Sequence, residues 1–193
     1  MNKRANSNSI RIIAGQWRGR RLSVIDSQGL RPSTDRVRET LFNWLMHDLP
    51  NANCLDLFAG TGALGLEALS RGAERTQFVE ASSAVAAVLQ QNIDLLGVPE
   101  DVGLLTRQDA RSYLAKAPTK PFDIVFLDPP FTDNLLGQVI SLINRSVWLS
   151  EDALIYVEQA KKTTATEVPA SWQLYREGKT NQSRYSLYRY QSS

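Results

Sequence analysis

The chain has 193 residues, 42% of them hydrophobic and 22% charged, and carries a formal net charge of +2. This length suits one α/β domain with a small appendage. One cysteine and one histidine exclude an intrachain disulfide and a Cys/His zinc site, so we expect no metal. The longest apolar run, Ala84 to Leu89, is too short to cross a bilayer. The first eight residues lack the apolar core of a signal peptide, so we expect a cytoplasmic protein.

The charges are distributed unevenly along the chain. Residues 1–50 carry a net charge of +5, residues 51–160 carry −7 and residues 161–193 carry +4. A basic arm, an acidic body and a basic tail favour contact between the two ends and a polyanion such as nucleic acid. The alternative is a solvated surface whose charges pair with one another.

Two short strands are predicted near the N-terminus, one over 10–14 and one, after a turn, within 16–22. The pair can form a hairpin. Trp17 lies there among four cations, which together offer a stacking surface and phosphate-binding groups: Arg11, Arg18, Arg20 and Arg21. The alternative is that Trp17 packs on the domain while its arginines point into water, and this stretch does not decide between the two.

A helix is predicted from about residue 35 to residue 46. Its apolar stripe, at i, i+4, i+7 and i+8, consists of Val37, Leu41, Trp44 and Leu45. Ser33 or Thr34 can cap its N-terminus. Arg36 and Arg38 lie off the stripe, so we predict that they reach phosphates.

From residue 52 onward, strands and helices alternate. Strands are predicted at 54–58, 77–80, 102–106, 122–127 and 153–157, and helices at 62–70, 83–96, 110–116 and 134–144. This alternation predicts right-handed crossovers and a parallel sheet with helices on both faces. Residues 172–176 and 185–190 predict an antiparallel hairpin at the sheet edge. Cys54 opens an apolar strand, which favours a buried structural thiol.

A glycine-rich loop connects the first of these strands to its helix. Gly60, Gly62 and Gly65 match G-x-G-x-x-G in the required strand-to-helix context. Asp56 lies two residues before the predicted end of the strand, in the same stretch as Phe58. This acid suits the ammonium of S-adenosylmethionine and would repel a pyrophosphate, so the loop favours S-adenosylmethionine over NAD.

Two further acids follow neighbouring strands and face the same predicted ligand. Glu80 ends the second strand, where it can accept hydrogen bonds from ribose hydroxyls. Asp109 follows the third strand and can contact the adenine amine. Asp109 is equally suited to cap the helix at 110–116, and both interpretations stay open.

The fourth strand ends in an unusual tip. Its apolar run, Ile124 to Leu127, stops at a carboxylate that two prolines and an aromatic ring follow: Asp128, Pro129, Pro130 and Phe131. Neither proline can donate a ladder hydrogen bond, so the strand ends there. In open α/β sheets this edge binds ligands. We interpret the four residues as a holder for a planar, amine-bearing substrate.

These motifs resemble known proteins. Residues 56–65 resemble the first motif of class I methyltransferases, and residues 128–131 resemble the (Asn/Asp)-Pro-Pro-(Phe/Tyr/Trp) motif of enzymes that methylate planar amines. Residues 11–20 and 31–44 are similar to one family, the bacterial 16S rRNA guanine-N2 methyltransferases of the D type (RsmD-like). The resemblance covers almost the whole chain. Ala14 departs from the family pattern, where glycine is expected, and so does the Ala-Ser-Ser stretch after Glu80.

The resemblance implies a Rossmann-like fold with a mostly parallel seven-stranded sheet and the use of S-adenosylmethionine, and we expect a monomer. It implies methylation of the exocyclic N2 amine of a guanine in 16S rRNA, held in a small-subunit ribosomal particle and not at a membrane. By the same motif, the Asp128 carboxylate and the Pro129 carbonyl would accept the two amine hydrogens while Phe131 stacks on the base. Whether Asp128 also takes the proton stays open.

We therefore expect a basic, RNA-contacting N-terminal extension over 1–50 and a catalytic domain over 51–193. The alternatives are N6-adenine methylation of DNA or RNA, methylation of a protein glutamine amide, and a non-catalytic RNA-binding module. The strand-tip motif does not separate guanine from adenine, and the sequence does not identify the modified nucleotide.

Overall fold

The computed structural model describes residues 9–25, 35–130, 135–144 and 147–191. Phe131 and the two candidate helix caps, Ser33 and Thr34, lie outside these ranges. Within them, no helix is long and apolar enough to cross a membrane.

The N-terminal arm forms a small antiparallel hairpin followed by a helix. Strands β1 (Ser9–Arg11) and β2 (Arg21–Ser23) pair with Ile10 opposite Leu22. Helix α1 covers Asp35–Trp44. The predicted hairpin and helix are therefore both confirmed.

The body of the protein is a seven-stranded sheet with helices on both faces. Its strands are β3 (Asn53–Asp56), β4 (Arg75–Glu80), β5 (Gly103–Arg107), β6 (Phe122–Leu127), β7 (Leu149–Ala160), β8 (Trp172–Lys179) and β9 (Ser183–Tyr190). The order across the sheet is β5-β4-β3-β6-β7-β9-β8. Strands β3 to β7 pair in parallel, whereas β9 runs antiparallel to both β7 and β8. The predicted fold class is confirmed.

The strand β6 shows how the sheet divides two cores. Ile124 and Phe126 point into one core, and Val125 and Leu127 point into the other, because side chains alternate along a strand. The first core also contains residues of α1, α2 (Gly65–Ser70) and α3 (Ser83–Leu96). The second contains residues of α4 (Ala110–Leu114) and α5 (Leu135–Ile143). With apolar packing on both faces, β6 is a continuous hydrophobic run.

Most boundaries lie within a few residues of the predictions, and two of the differences have clear physical reasons. Helix α2 begins at Gly65 instead of residue 62 because the preceding loop forms turns. Strand β7 extends to Ala160 because its last residues pair with β9. Cys54 is fully buried, as predicted, and burial raises the pKa of its thiol.

Candidate active site

A cavity of about 270 Å³ opens at the carboxyl ends of the parallel strands. Each of four neighbouring strands contributes residues at or just beyond its C-terminal end: Leu57 and Phe58 after β3, Glu80 at the end of β4, Asp109 after β5, and Asp128 and Pro130 after β6. Ligands of open α/β sheets bind at this edge. The structure therefore brings three of the six predicted cofactor residues, Phe58, Glu80 and Asp109, to one cavity with Asp128 and Pro130 of the strand-tip motif. The other three, Asp56, Gly60 and Gly62, are not among the residues that line it.

The glycine loop needs its glycines for two different reasons. Gly60 and Gly62 have φ values of 53° and 94°, which L side chains rarely adopt. A Cβ atom on Gly62 would also lie 2.6 Å from Leu89 Cδ1. Gly65 has no such φ, but a Cβ atom there would collide with Phe78 of β4. The first two glycines turn the backbone, and the third lets α2 lie close to the sheet.

Asp56 secures the start of α2 from inside the protein. Its Oδ2 accepts a hydrogen bond from the Gly65 N–H at 2.9 Å, and the residue is only 2% exposed. Burial raises the pKa of Asp56 to about 7; the Gly65 hydrogen bond opposes this rise, and Glu80 adds to it. Asp56 is therefore only partly ionised near pH 7, and a nearby cation would favour its charged form.

Glu80 connects the glycine loop to the end of β4. Its Oε2 accepts from the Gly60 N–H at 3.0 Å, and its Oε1 accepts from the Ser82 N–H at 2.7 Å. These bonds fix the carboxylate at the wall of the cavity. Because each carboxylate oxygen has two lone pairs, Glu80 retains the capacity to accept hydroxyl hydrogens.

Asp109 caps α4 and also lines the cavity. Its Oδ1 accepts hydrogen bonds from the backbone N–H groups of Arg111 and Ser112, at 3.0 and 3.2 Å. The Arg111 side chain lowers the pKa of Asp109 by hydrogen bonding to it. The capping interpretation is confirmed, and the adenine contact stays a prediction.

The strand-tip motif presents a partly exposed carboxylate followed by a buried proline. Asp128 is half-buried, Pro129 is buried and Pro130 is exposed. Asp128 and Pro130 both line the cavity that Glu80 lines. Phe131 lies outside the described residues, so its stacking role stays a prediction.

Sequence reasoning missed two polar residues at the same edge, Tyr156 and Glu158 of β7. The Tyr156 hydroxyl donates to Glu158 Oε2 at 2.7 Å, and both residues are buried. The available signal was an acid at the end of an apolar strand, two residues after a tyrosine. Because β7 continues further than its apolar run predicted, this signal lay just beyond the expected strand.

Most arginines of the arm are accessible to solvent. Arg11 and Arg18 line a cleft of about 280 Å³ together with the acids Asp35 and Glu39. In the described part of the arm, the other exposed arginines are Arg20, Arg21 and Arg36. Arg20 Nη2 donates to the Leu95 carbonyl at 2.8 Å, and Arg21 Nη1 donates to Ser9 Oγ at 3.3 Å. These side chains can approach a polyanion, as predicted for an RNA contact.

Two residues of the predicted RNA-binding set point into the protein. Trp17 is half-buried and packs against the first core, which favours the packing alternative. Arg38 is fully buried: its Nη2 donates to the Arg11 carbonyl at 2.9 Å and to Asp35 Oδ1 at 2.7 Å. The prediction that Arg38 reaches phosphates is wrong, because its guanidinium is enclosed between the arm and α2.

Glu67 of α2 holds the arm against the body. Its two oxygens accept hydrogen bonds from the backbone N–H groups of Ile13 and Ala14, at 2.8 and 3.0 Å. Arg71 Nε donates to the same carboxylate at 2.7 Å, and Arg38 Nη1 lies 3.7 Å from it. We call these five residues the arm junction.

The fold and this edge define a class I methyltransferase. The family model described as conserved hypothetical protein 95 matches residues 10–189. The chain is 50% identical to ribosomal RNA small subunit methyltransferase D of Escherichia coli (strain K12), over 95% of this chain and 91% of that relative. It is 47% identical to the protein of the same name from Haemophilus influenzae, over 93% of each chain. The chain belongs to the ribosomal RNA small subunit methyltransferase D family.

A solved structure supports the same assignment. A putative methyltransferase from Escherichia coli superposes with a TM-score of 0.87 at 46% sequence identity. The match covers 96% of this chain and 100% of the other. The N-terminal arm is therefore included in the region of likeness.

Proposed function

We propose that the protein transfers a methyl group from S-adenosylmethionine to the N2 amine of a guanine in 16S rRNA, within a small-subunit ribosomal particle. Membership of the methyltransferase D family supports the substrate class, since the relatives named above are ribosomal RNA small subunit methyltransferases. One observation carries the reaction: Asp128 and Pro130 line the same cavity as Phe58, Glu80 and Asp109.

The cofactor side of the cavity suits a zwitterionic nucleoside better than a pyrophosphate. Glu80 and Asp109 are hydrogen-bond acceptors for ribose hydroxyls and an adenine amine, and the walls between them are largely apolar. Asp56 is buried near the glycine loop with a pKa of about 7. A ligand ammonium would stabilise its charged form, whereas a phosphate would repel it.

The strand tip supplies the geometry that a weak nucleophile needs. The lone pair of an exocyclic guanine amine is delocalised into the ring, so the amine must be held with its lone pair towards the methyl sulfonium. The Asp128 carboxylate and the Pro129 carbonyl are acceptors for the two amine hydrogens. Positioning of this kind contributes several kcal/mol, on the order of 7–11 in the best oriented intramolecular reactions.

Asp128→Ala tests this assignment. We expect transfer to rRNA from a strain that lacks the enzyme to fall by at least about 100-fold, because the variant loses both amine orientation and any proton acceptor. S-adenosylmethionine should still bind with near wild-type affinity by calorimetry. Near-normal turnover in the variant would refute the role of Asp128.

Asp128→Asn is the matched control. Its amide oxygen can still orient the amine, but it cannot serve as a base near neutral pH. Substantial activity in this variant would identify orientation as the main role, and activity as low as that of Asp128→Ala would indicate proton transfer. Nucleoside analysis of the product separates N2-methylguanine from N6-methyladenine.

A further inference from the structure

The ends of β6 and β7 bring a second acid next to Asp128. The two strands pair in parallel with Leu127 opposite Val157, and Asp128 and Glu158 are the next residues on each. Neighbouring strands lie about 4.8 Å apart, and side chains at equivalent positions of parallel strands extend from the same face. The two carboxylates therefore belong to one side of the sheet edge.

Tyr156 fixes the orientation of Glu158. Its buried hydroxyl donates to Glu158 Oε2 at 2.7 Å, and Glu158 itself is 4% exposed. Burial raises the pKa of Tyr156 well above its usual value, and the carboxylates of Glu158 and Asp128 raise it further. The hydroxyl therefore stays protonated and donates, and both acids lie within electrostatic reach of it.

Guanine and adenine offer different groups to a residue next to the amine holder. On the Watson–Crick edge of guanine, the N1–H donor lies beside the N2 amine. On the same edge of adenine, the N1 lone pair lies beside the N6 amine. A base whose amine is bound at Asp128 therefore turns either a hydrogen or a lone pair towards the neighbouring side chain.

We propose that Glu158 accepts the N1–H of the target guanine and thereby selects guanine over adenine. This inference rests on the proposed function. A carboxylate has about four lone-pair sites and can therefore accept from more than one donor. Adenine would turn a lone pair towards a buried acceptor, and sites built around such hydrogen bonds reject analogues strongly. Tyr156 acts as a positioning residue for Glu158.

The test compares two target bases in two enzymes. Small-subunit particles are reconstituted with guanine or with 2-aminopurine at the mapped target position. 2-Aminopurine keeps the N2 amine but carries a lone pair at N1. We expect wild-type enzyme to prefer guanine by about 10- to 100-fold in kcat/KM, the range of one hydrogen bond to a charged group. In Glu158→Gln the preference should fall to a few-fold, because an amide can also donate to N1.

The ratio of the two rates does not depend on how much of a preparation is folded, so a destabilised variant still gives an interpretable result. Comparing this ratio between the two enzymes also cancels the loss of the guanine O6 atom, which affects both enzymes alike. An unchanged preference in Glu158→Gln would overturn the inference and leave Glu158 a structural residue.

Two controls complete the design. Glu151→Gln, an exposed acid on the same strand, should keep the wild-type preference. Tyr156→Phe should give an intermediate preference, since it loosens the Glu158 carboxylate without removing it, and a wild-type ratio would remove Tyr156 from the proposal. If wild-type enzyme methylates no guanine in the particle, the proposed function itself fails, which is a different result from an unchanged ratio.

Discussion

Glu67 and Asp56 are both buried carboxylates, yet their surroundings differ in kind. Glu67 is enclosed by two backbone N–H groups and by the guanidinium groups of Arg38 and Arg71. Asp56 accepts from the Gly65 N–H and lies near a second acid, Glu80, and its pKa is raised to about 7. A carboxylate surrounded by the chain's own cations is part of the scaffold. A carboxylate buried beside another acid becomes fully charged at neutral pH only when a cation arrives.

The surroundings of Glu67 and of Asp56 are nevertheless joined by direct contacts between the arm and the glycine-loop region. The Gln16 N–H donates to the Ser70 carbonyl at 2.8 Å, and a Cβ atom on Gly15 would collide with the same carbonyl. The arm therefore lies directly on the end of α2. The Asn92 side-chain amide donates to the carbonyls of Ser23 and Thr61, at 3.0 and 2.9 Å. The arm is therefore fixed to the helix and the loop that form the cofactor side of the cavity.

The largest effect is expected at the arm junction. Glu67→Ala leaves the buried guanidinium of Arg38 and the partly exposed guanidinium of Arg71 without their carboxylate, and two N–H groups without their acceptor. Breaking a buried ion pair in this way typically costs about 3–5 kcal/mol. We expect a loss of that size in the free energy of unfolding, measured by urea denaturation.

The control for this variant is an exposed acid with a single cation. Glu74 lies 3.6 Å from Lys120, and both side chains are more than half exposed. Glu74→Ala should change the free energy of unfolding by less than about 0.5 kcal/mol. If both variants lost the same free energy of unfolding, the arm junction would contribute no more to stability than an exposed ion pair does.

A pH dependence is expected at Asp56. Its folded pKa of about 7 lies above the unfolded value of roughly 4, so its contribution to stability is present at low pH and declines as the pH rises from about 4 to about 7. A bound ammonium favours the ionised form, so S-adenosylmethionine must displace a proton below pH 7. We expect the affinity measured by calorimetry to be about tenfold weaker at pH 5.5 than at pH 7.

Asp56→Asn separates the effect of this carboxylate from that of the titratable groups that line the cavity, among them Glu80 and Asp109. The amide oxygen can still accept the Gly65 N–H, but it does not titrate. The variant should bind S-adenosylmethionine more weakly at pH 7 and lose most of the difference between the two pH values. If the full pH dependence persists, another group carries it, and the contrast between Asp56 and Glu67 loses its functional meaning.

Local signals predicted the fold well. Helix α3 begins and ends as expected because Ser82 accepts from the Val85 N–H at its start and Gly97 adopts a left-handed conformation, with φ of 67°, at its end. Strand β6 ends as expected because prolines follow it. Helix α2 was predicted to start at residue 62 but starts at Gly65. The sequence alone does not show at which glycine the loop ends and the helix begins.

The site was predictable where its residues end or directly follow a predicted strand. Asp128, Glu80 and Asp109 each follow or end a strand, and parallel strands place such residues at one edge. Arg38 could not be assigned in this way, and Glu158, which also follows a predicted strand, could be placed at this edge but not beside Asp128. The burial of Arg38 depends on Glu67, a distant residue, and the position of Glu158 depends on the pairing of β6 with β7.

The smallest effect is expected from the exposed arginines of the arm, which contrast with Arg38 of the junction. Arg18 and Arg20 are accessible to solvent. An arginine that contacts a phosphate on binding releases about one counterion from the RNA. Arg18→Ala combined with Arg20→Ala should weaken RNA binding and lower the slope of log affinity against log salt by about 1–2, with S-adenosylmethionine affinity unchanged. Lys120→Ala, just before β6 at the opposite edge of the sheet, should keep the wild-type slope. A wild-type slope in the double variant would remove these arginines from the interface, because a phosphate contact cannot be lost without its salt dependence.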